Sequence, residues 1–186
     1  KRMKKKLFIP VANPTVGKEE AKKAYHQIKS GWFSMGKRVE EFEKLVEKFT
    51  GAKYAIAVNN GTSALDAVLT ALDIKENDEI IIPSLTYIST ANVIAYKKAK
   101  IVLCDSDPRT FNVDYKSLVE KISKKTKLII VTDLKGMPVD YDLFIKLSKK
   151  YKVPVIADSA ESFGAKYKRR IIGTQLPIHT FSFFAN

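Results

Sequence analysis

The stretch "VPVIADSAESFGA", residues 153–165, decides how this chain folds. It runs apolar up to Ala157 without the polar alternation of a half-solvated strand, so both faces are expected to be buried, as in a parallel strand of an α/β protein. The run stops at Asp158, at the carboxyl edge of the strand, where open α/β sheets bind their ligands. A carboxylate there either pairs with a cationic ring nitrogen or caps the following turn. Glu161, three residues on, either reaches the same cavity or completes a cap.

Outward from this strand the same composition recurs in "YAIAV" (54–58), "EIIIP" (79–83), "KIVLCD" (100–105), "KLIIVTD" (127–133) and "HTFSFF" (179–184). Helical patterns lie between the runs at about 62–72, 87–97, 114–123 and 140–151. Strands of continuous Val, Ile and Leu, each separated from the next by one helix, predict a doubly wound α/β architecture: a mainly parallel sheet with helices on both faces. Ahead of it, "GKEEAKKAYHQIKSG" (17–31) and "KRVEEFEKLVEKFTG" (37–51) read as two helices, the second ending at Gly51 and "WFSMG" (32–36) joining them. Residues 1–50 thus read as an N-terminal helical segment and 51–186 as an α/β domain. The final "FSFFAN" (181–186) reads as a buried strand leaving the core toward the sheet edge.

Charge and composition exclude several classes. Lys and Arg number 33 against 20 Asp and Glu, a net charge of +13. The lysines fall on helical stretches that also carry acids or an apolar stripe, which marks solvated helix faces, and no aromatic interleaving or nucleic-acid motif accompanies them. An excess of positive charge instead suits an anionic small molecule. One cysteine, Cys104, read as a small buried hydrophobe, rules out an internal disulfide, and His26 and His179 have no metal-ligand spacing, so no metal is expected. No apolar run approaches a membrane span, and the "LFIPVA" that follows the basic start is too short for a signal peptide, so the expected location is the cytoplasm, without membrane partners.

Three further stretches carry candidate chemistry. In "YAIAVNNGTSALDAVLTAL" a polar turn at Gly61 leads into a helix near Thr62, whose exposed amides, with the Thr62 and Ser63 hydroxyls, suit a phosphate or simply cap the helix. "PSLTYISTANVIAY" places Tyr87 at a helix start, where its ring either covers a flat ligand or joins the core. Ser182 interrupts the last apolar run, its hydroxyl bonding the backbone or pointing at a ligand. His26 reads as a surface residue, and His179 is undecided.

Taken in order, "IPVANPTVG", "GWFSMGKRVEEFE", "VNNGTSALDAVLTAL", "IIPSLTYISTANVI", "DSDPRTFNVD", "KGMPVD", "IADSAESFGA" and "FSFFAN" resemble the DegT/DnrJ/StrS family of pyridoxal-phosphate nucleotide-sugar aminotransferases across nearly the whole chain. The opening "IPVANP", "PSLTYISTAN" and "FSFFAN" look most like its GDP-perosamine synthase branch. The resemblance implies the fold-type I, aspartate aminotransferase-like large domain, with the chain stopping short of a C-terminal small domain. It implies that Gly61, Thr62, Ser63 and Ser182 hold the phosphate of pyridoxal 5'-phosphate and that Tyr87 stacks on its ring. Asp158 keeps the ring nitrogen protonated, and Glu161 lies near the ring hydroxyl. The Schiff-base lysine would follow Asn186 directly. Asn13, Trp32, Ser34 and Gly36 would face the substrate.

Two departures stand out: relatives usually carry a histidine and a tyrosine at Asp133 and Lys135, and a Gly-Asp pair at Leu176 and Pro177. The implied activity is transfer of an amino group, from glutamate, to a nucleotide-linked 4-keto-6-deoxy sugar in amino-sugar or polysaccharide biosynthesis, by a homodimer. A sugar dehydratase on the same scaffold, or a non-catalytic sensor of the cofactor or sugar, are the alternatives.

Overall fold

The computed structural model describes residues 14–183. Helices α1 (Lys18–Lys29) and α2 (Lys37–Thr50) precede α3 (Gly61–Ala71), β1 (Glu79–Pro83), α4 (Ile88–Tyr96), β2 (Lys100–Cys104), α5 (Tyr115–Lys121) and β3 (Thr126–Thr132). After a 3₁₀ turn at Leu134–Gly136 come α6 (Tyr141–Tyr151), β4 (Val155–Asp158), a short hairpin of β5 (Lys166–Tyr167) and β6 (Arg170–Ile171), and β7 (His179–Thr180). Five strands form one sheet in the order β2-β1-β3-β4-β7, every pairing parallel.

The apolar runs explain the layering. Successive side chains of a strand point to opposite faces, so a continuous apolar run supplies two cores at once. Ile80, Ile82, Leu128, Ile130 and Ile156 meet Leu65 and Leu69 of α3 and Val93 and Ile94 of α4 on one face. Ile81, Ile129, Val131, Val155 and Ala157 meet Leu118 of α5 and Tyr141, Phe144 and Leu147 of α6 on the other. Helix starts follow the cap residues: Asn60 Oδ1 accepts from Ser63 N at 2.8 Å, and Asp114 Oδ1 from Ser117 N at 2.7 Å. Gly51, at φ +79°, ends α2 in the left-handed conformation, as its position after the apolar repeat predicts. Cys104 lies buried in the core with its thiol pushed up to about 12, chiefly by burial, the small hydrophobe expected of it.

Two strand expectations fail. Residues 54–58 have no strand partner among the described residues; the amides of Ala55 and Ala57 donate instead to Glu47 Oε1 (3.3 Å) and Glu43 Oε1 (2.8 Å) of α2. A β-prone run becomes a strand only beside another strand, and here side-chain carboxylates satisfy its peptide groups while Tyr54, Ile56 and Val58 stay exposed. The last run also pairs for only two residues, His179 and Thr180, before leaving the sheet. Phe183 is therefore exposed rather than core, its ring 5.0 Å from Phe42 and 4.8 Å from Phe163. Residues 184–186 of "FSFFAN" lie outside the described residues. Among the described residues no helix is long and apolar enough to cross a membrane, and no cluster of His, Cys, Asp and Glu could hold a metal ion.

Helix α2 is fastened by few contacts. Phe49 stacks on Phe163 at 5.1 Å, and buried Thr50 abuts Gly173, where a Cβ would stand 2.8 Å from Thr50 Cβ. Gly173 also sits at φ +134°, which side chains rarely adopt. Gly173→Ala is expected to destabilise the protein by about 1–3 kcal/mol, read as a lower denaturant midpoint at unchanged slope.

Candidate active site

The carboxyl edge of the sheet collects the chemistry. Asp158 is the last residue of β4, pairs with Thr180 of β7 and is only 4% exposed. Thr90 Oγ1 donates to its Oδ2 at 2.8 Å, and the Ala160 amide to its Oδ1 at 3.3 Å. Because the Thr90 proton goes to the carboxylate, Thr86 donates to Thr90 (3.0 Å) and Thr132 to Thr86 (3.2 Å), a line of hydroxyls from β3 ending on Asp158. Burial raises the Asp158 carboxyl above the usual range; the bonds from Thr90 and Ala160 oppose this, and the charges of Asp133 and Glu161 add to it. Among the described residues, the Asp158 carboxylate thus accepts two hydrogen bonds and pairs with no cationic side chain.

The first turn of α3 lies at the same edge. Asn60 takes the amides of Ser63 and Ala64, and the Gly61 and Thr62 amides have no acceptor inside the helix. Among the described residues, no protein group engages the hydroxyls of Thr62, Ser63 or Ser182. A Cβ on Gly61 would stand 3.2 Å from Ser182 Cβ, so the bare glycine lets the segment after β7 lie against the helix start. Amides at a positive helix terminus beside three hydroxyls form a cradle for an anion. A cradle for an anion and a buried carboxylate for a cation therefore sit on neighbouring strand ends.

Tyr87 precedes α4 on this edge with its ring 70% exposed, next to the hydroxyl line rather than in the core. Glu161 does not complete a cap: its Oε2 accepts from the Lys135 amide at 2.6 Å, tying the loop after β4 to the 3₁₀ turn after β3. Lys135 Nζ lies 4.1 Å from the centroid of the Phe111 ring. Trp32, Ser34 and Gly36 line a different feature, a cleft of about 760 Å³ formed by residues between Gln27 and Glu41 alone. The Trp32 indole N–H donates to Met35 O at 3.1 Å, and a side chain on Gly36 would strike that indole. Asn13 lies outside the described residues. His26 is exposed, its ring edge-on to Tyr25.

Sequence reasoning missed Thr90 and an entire network behind Asp158. Asp133, fully buried, accepts from Val139 N (3.0 Å), Ser159 Oγ (2.6 Å), Ser162 Oγ (3.3 Å) and the Tyr141 hydroxyl. His179 joins through Ser159: its Nδ1 is 3.0 Å from Ser159 Oγ, and its Nε2 accepts from Leu176 N at 3.2 Å. The hydroxyl-rich spelling "DSAES" was the available signal. Burial lowers His179 from 6.5 to about 4. Its unfolded form therefore binds a proton that the folded form refuses, so its stability contribution is complete above pH 6.5 and is lost as the pH falls toward 4. A histidine NMR titration should find one ring that stays neutral at pH 5.5, a signal removed by His179→Gln.

Solved structures share this architecture. PseC of Helicobacter pylori, an aminotransferase involved in the biosynthesis of pseudoaminic acid, superposes with a TM-score of 0.90 at 28% identity, over 95% of this chain and 48% of that one. The GDP-4-keto-6-deoxy-D-mannose-3-dehydratase of E. coli with bound hydrated PLP gives 0.83 at 30% identity, over 89% and 44%. The fold is that of the sugar-aminotransferase type of α/β protein. The chain belongs to the DegT/DnrJ/EryC1/StrS aminotransferase family, whose sequence profile matches residues 14–186. It is 39% identical to the GDP-perosamine synthase of Escherichia coli O157:H7 over 180 residues, 96% of this chain and 50% of that protein. It spans about half the length of the relatives it matches.

Proposed function

We propose that this chain supplies the cofactor-binding part of a pyridoxal-phosphate-dependent aminotransferase that moves an amino group, with glutamate as donor, onto a nucleotide-linked 4-keto-6-deoxy sugar. The observation that carries the reading is the juxtaposition, on one sheet edge, of an anion cradle at the start of α3 and a buried, cation-free carboxylate at the end of β4. A phosphorylated pyridinium carries both complementary charges. When bound, pyridoxal phosphate supplies an electron sink for a carbanion.

The residues divide the work. Gly61, Thr62, Ser63 and Ser182 hold the phosphate, and the bare α-carbon of Gly61 keeps Ser182 within reach. Asp158 holds the proton on the ring nitrogen, and Thr90 fixes the orientation of its carboxylate. Tyr87 covers the ring, and Glu161, anchored on Lys135, sits beside it. Trp32, Ser34 and Gly36 present the nucleotide-sugar side, where Lys37 and Arg38 line the same cleft and suit a diphosphate. Residues 1–50 are then the helical segment of the fold and 51–186 the first part of the large domain. Exposed Phe33, Met35 and Ile56 suit the interface of a homodimer, and the location is the cytoplasm.

A dehydratase is the second reading, favoured by the likeness to the E. coli 3-dehydratase. The test is to incubate the protein carrying this chain with pyridoxal phosphate, ¹⁵N-glutamate and GDP-4-keto-6-deoxymannose. Label in the sugar product is the expected result. A product that has lost a ring oxygen without gaining nitrogen would establish the dehydratase instead.

A further inference from the structure

The edge buries two carboxylates on adjacent strands, and the proposed function uses only one. Asp133 follows the last residue of β3, its amide donating to the Asp158 carbonyl at 3.0 Å, so the two acids are neighbours across the sheet. Hydrogen-bond directions fix the state of Asp133. The Leu176 amide can only donate, so His179 Nε2 accepts and the proton of the neutral ring sits on Nδ1. Nδ1–H therefore donates to Ser159 Oγ, which is left to give its own proton to Asp133. The Tyr141 hydroxyl and the Val139 amide also donate to Asp133. Burial raises the Asp133 carboxyl, and the bonds from Ser159, Tyr141, Val139 and Ser162 oppose this and favour the anion.

The groups around it are Tyr141 from α6, Asp158 and Ser159 from the end of β4, Glu161 and Ser162 from the loop beyond, Lys135 from the 3₁₀ turn, and His179 from β7. The imidazole is neutral and the Lys135 ammonium is turned to the Phe111 ring, so no buried cation faces the Asp133 charge. Its field acts on Asp158, whose proton affinity it raises.

We propose that Asp133 is a positioning residue: an anion, locked by the Tyr141–Ser159–His179 network, that stands behind Asp158 and strengthens its hold on a protonated ring nitrogen. This rests on the reading of the edge as a pyridoxal-phosphate site. Two negative charges behind the ring hold its proton more tightly than one, and at the effective dielectric of a buried site the second is worth about tenfold in proton affinity. In the network the histidine at 179 lends its Nδ1 proton to Ser159, and Ser159 gives its own to Asp133.

The experiment is ¹⁵N NMR of ring-labelled pyridoxamine 5'-phosphate bound to the protein carrying this chain, since the ring-nitrogen shift reports its protonation without turnover. In Asp133→Asn the ring should lose its proton at a pH about one unit below wild type. Asp133→His, which places there the residue that relatives usually carry, should behave alike and covers the case in which the asparagine variant fails to fold. Tyr141→Phe keeps the anion, so it should lower thermal stability and leave the ring proton in place. Ring titrations of both Asp133 variants that match wild type would overturn the role of Asp133 alone, as would an equal shift in Tyr141→Phe. A wild-type protein that fails to bind pyridoxamine phosphate would overturn the site assignment and this inference with it.

Discussion

Asp158→Asn is expected to lower turnover by about 10³-fold while leaving the protein folded. The asparagine has the shape of the aspartate and its single oxygen can still accept from Thr90, its amide nitrogen replacing the oxygen that takes the long Ala160 bond, but it carries no charge to keep the ring nitrogen protonated. Stability separates this from simple damage. Burial raises the Asp158 carboxyl in the fold, so its contribution to stability is present at low pH and is lost as the pH rises through the folded value. At neutral pH the ligand-free variant should therefore melt no lower than wild type, the trade expected where a charge is kept for function. Thermal melts without cofactor, set beside kcat, make the distinction. A variant with normal turnover contradicts the role assigned to Asp158.

Thr62→Ala combined with Ser182→Ala should weaken pyridoxal-phosphate binding by about 100-fold, each hydroxyl contributing a hydrogen bond to a charged group. Among the described residues neither hydroxyl serves another protein group, so their loss leaves no buried donor or acceptor unpaired and the unfolding midpoint should not move. Asn60→Ala acts differently. It removes the acceptor for the Ser63 amide and should cost about 1 kcal/mol of stability, with affinity falling only as far as the helix start frays. Equilibrium titration of cofactor absorbance on the two variants separates direct contact from helix capping.

Much of the architecture was legible because continuous apolar runs allow little else. Ile80–Ile82 and Leu128–Val131 can be buried only in a sheet covered on both faces, and their bounds were read almost to the residue. Local chemistry marked Gly51 as a helix end in the same way. The failures have two causes, partners outside the run itself and a turn of unusual composition. Residues 54–58 carry strand chemistry, yet their amides are taken by glutamates eight and fourteen positions earlier. The β5–β6 hairpin was invisible because its turn is Lys168-Arg169, at φ +47° and +68°, without the Asn-Gly pair that normally announces that conformation.

The candidate site divides along the same line. Asp158 was legible from its place at a strand end, and Gly61, Thr62 and Ser63 from a turn that opens a helix. Ser182 was weak on sequence alone; its proximity to Gly61 gives it a place in the cradle. The network of Asp133, Tyr141, Ser159 and His179 joins three strand ends and a helix, and no local pattern links residues so far apart in sequence. Asp133 appeared only as a departure from relatives, without a physical role. Trp32, Ser34 and Gly36 were assigned to the substrate by resemblance alone, and they line one cleft with Lys37 and Arg38.

The central claim is that one sheet edge binds the two ends of pyridoxal phosphate, and a crystal structure of the protein carrying this chain, soaked with the cofactor, tests it most directly. The phosphate is expected on the Gly61 and Thr62 amides and the hydroxyls of Thr62, Ser63 and Ser182, with the ring nitrogen in hydrogen-bond contact with the Asp158 carboxylate. Cofactor bound away from the start of α3, or a ring nitrogen turned away from Asp158, would contradict it.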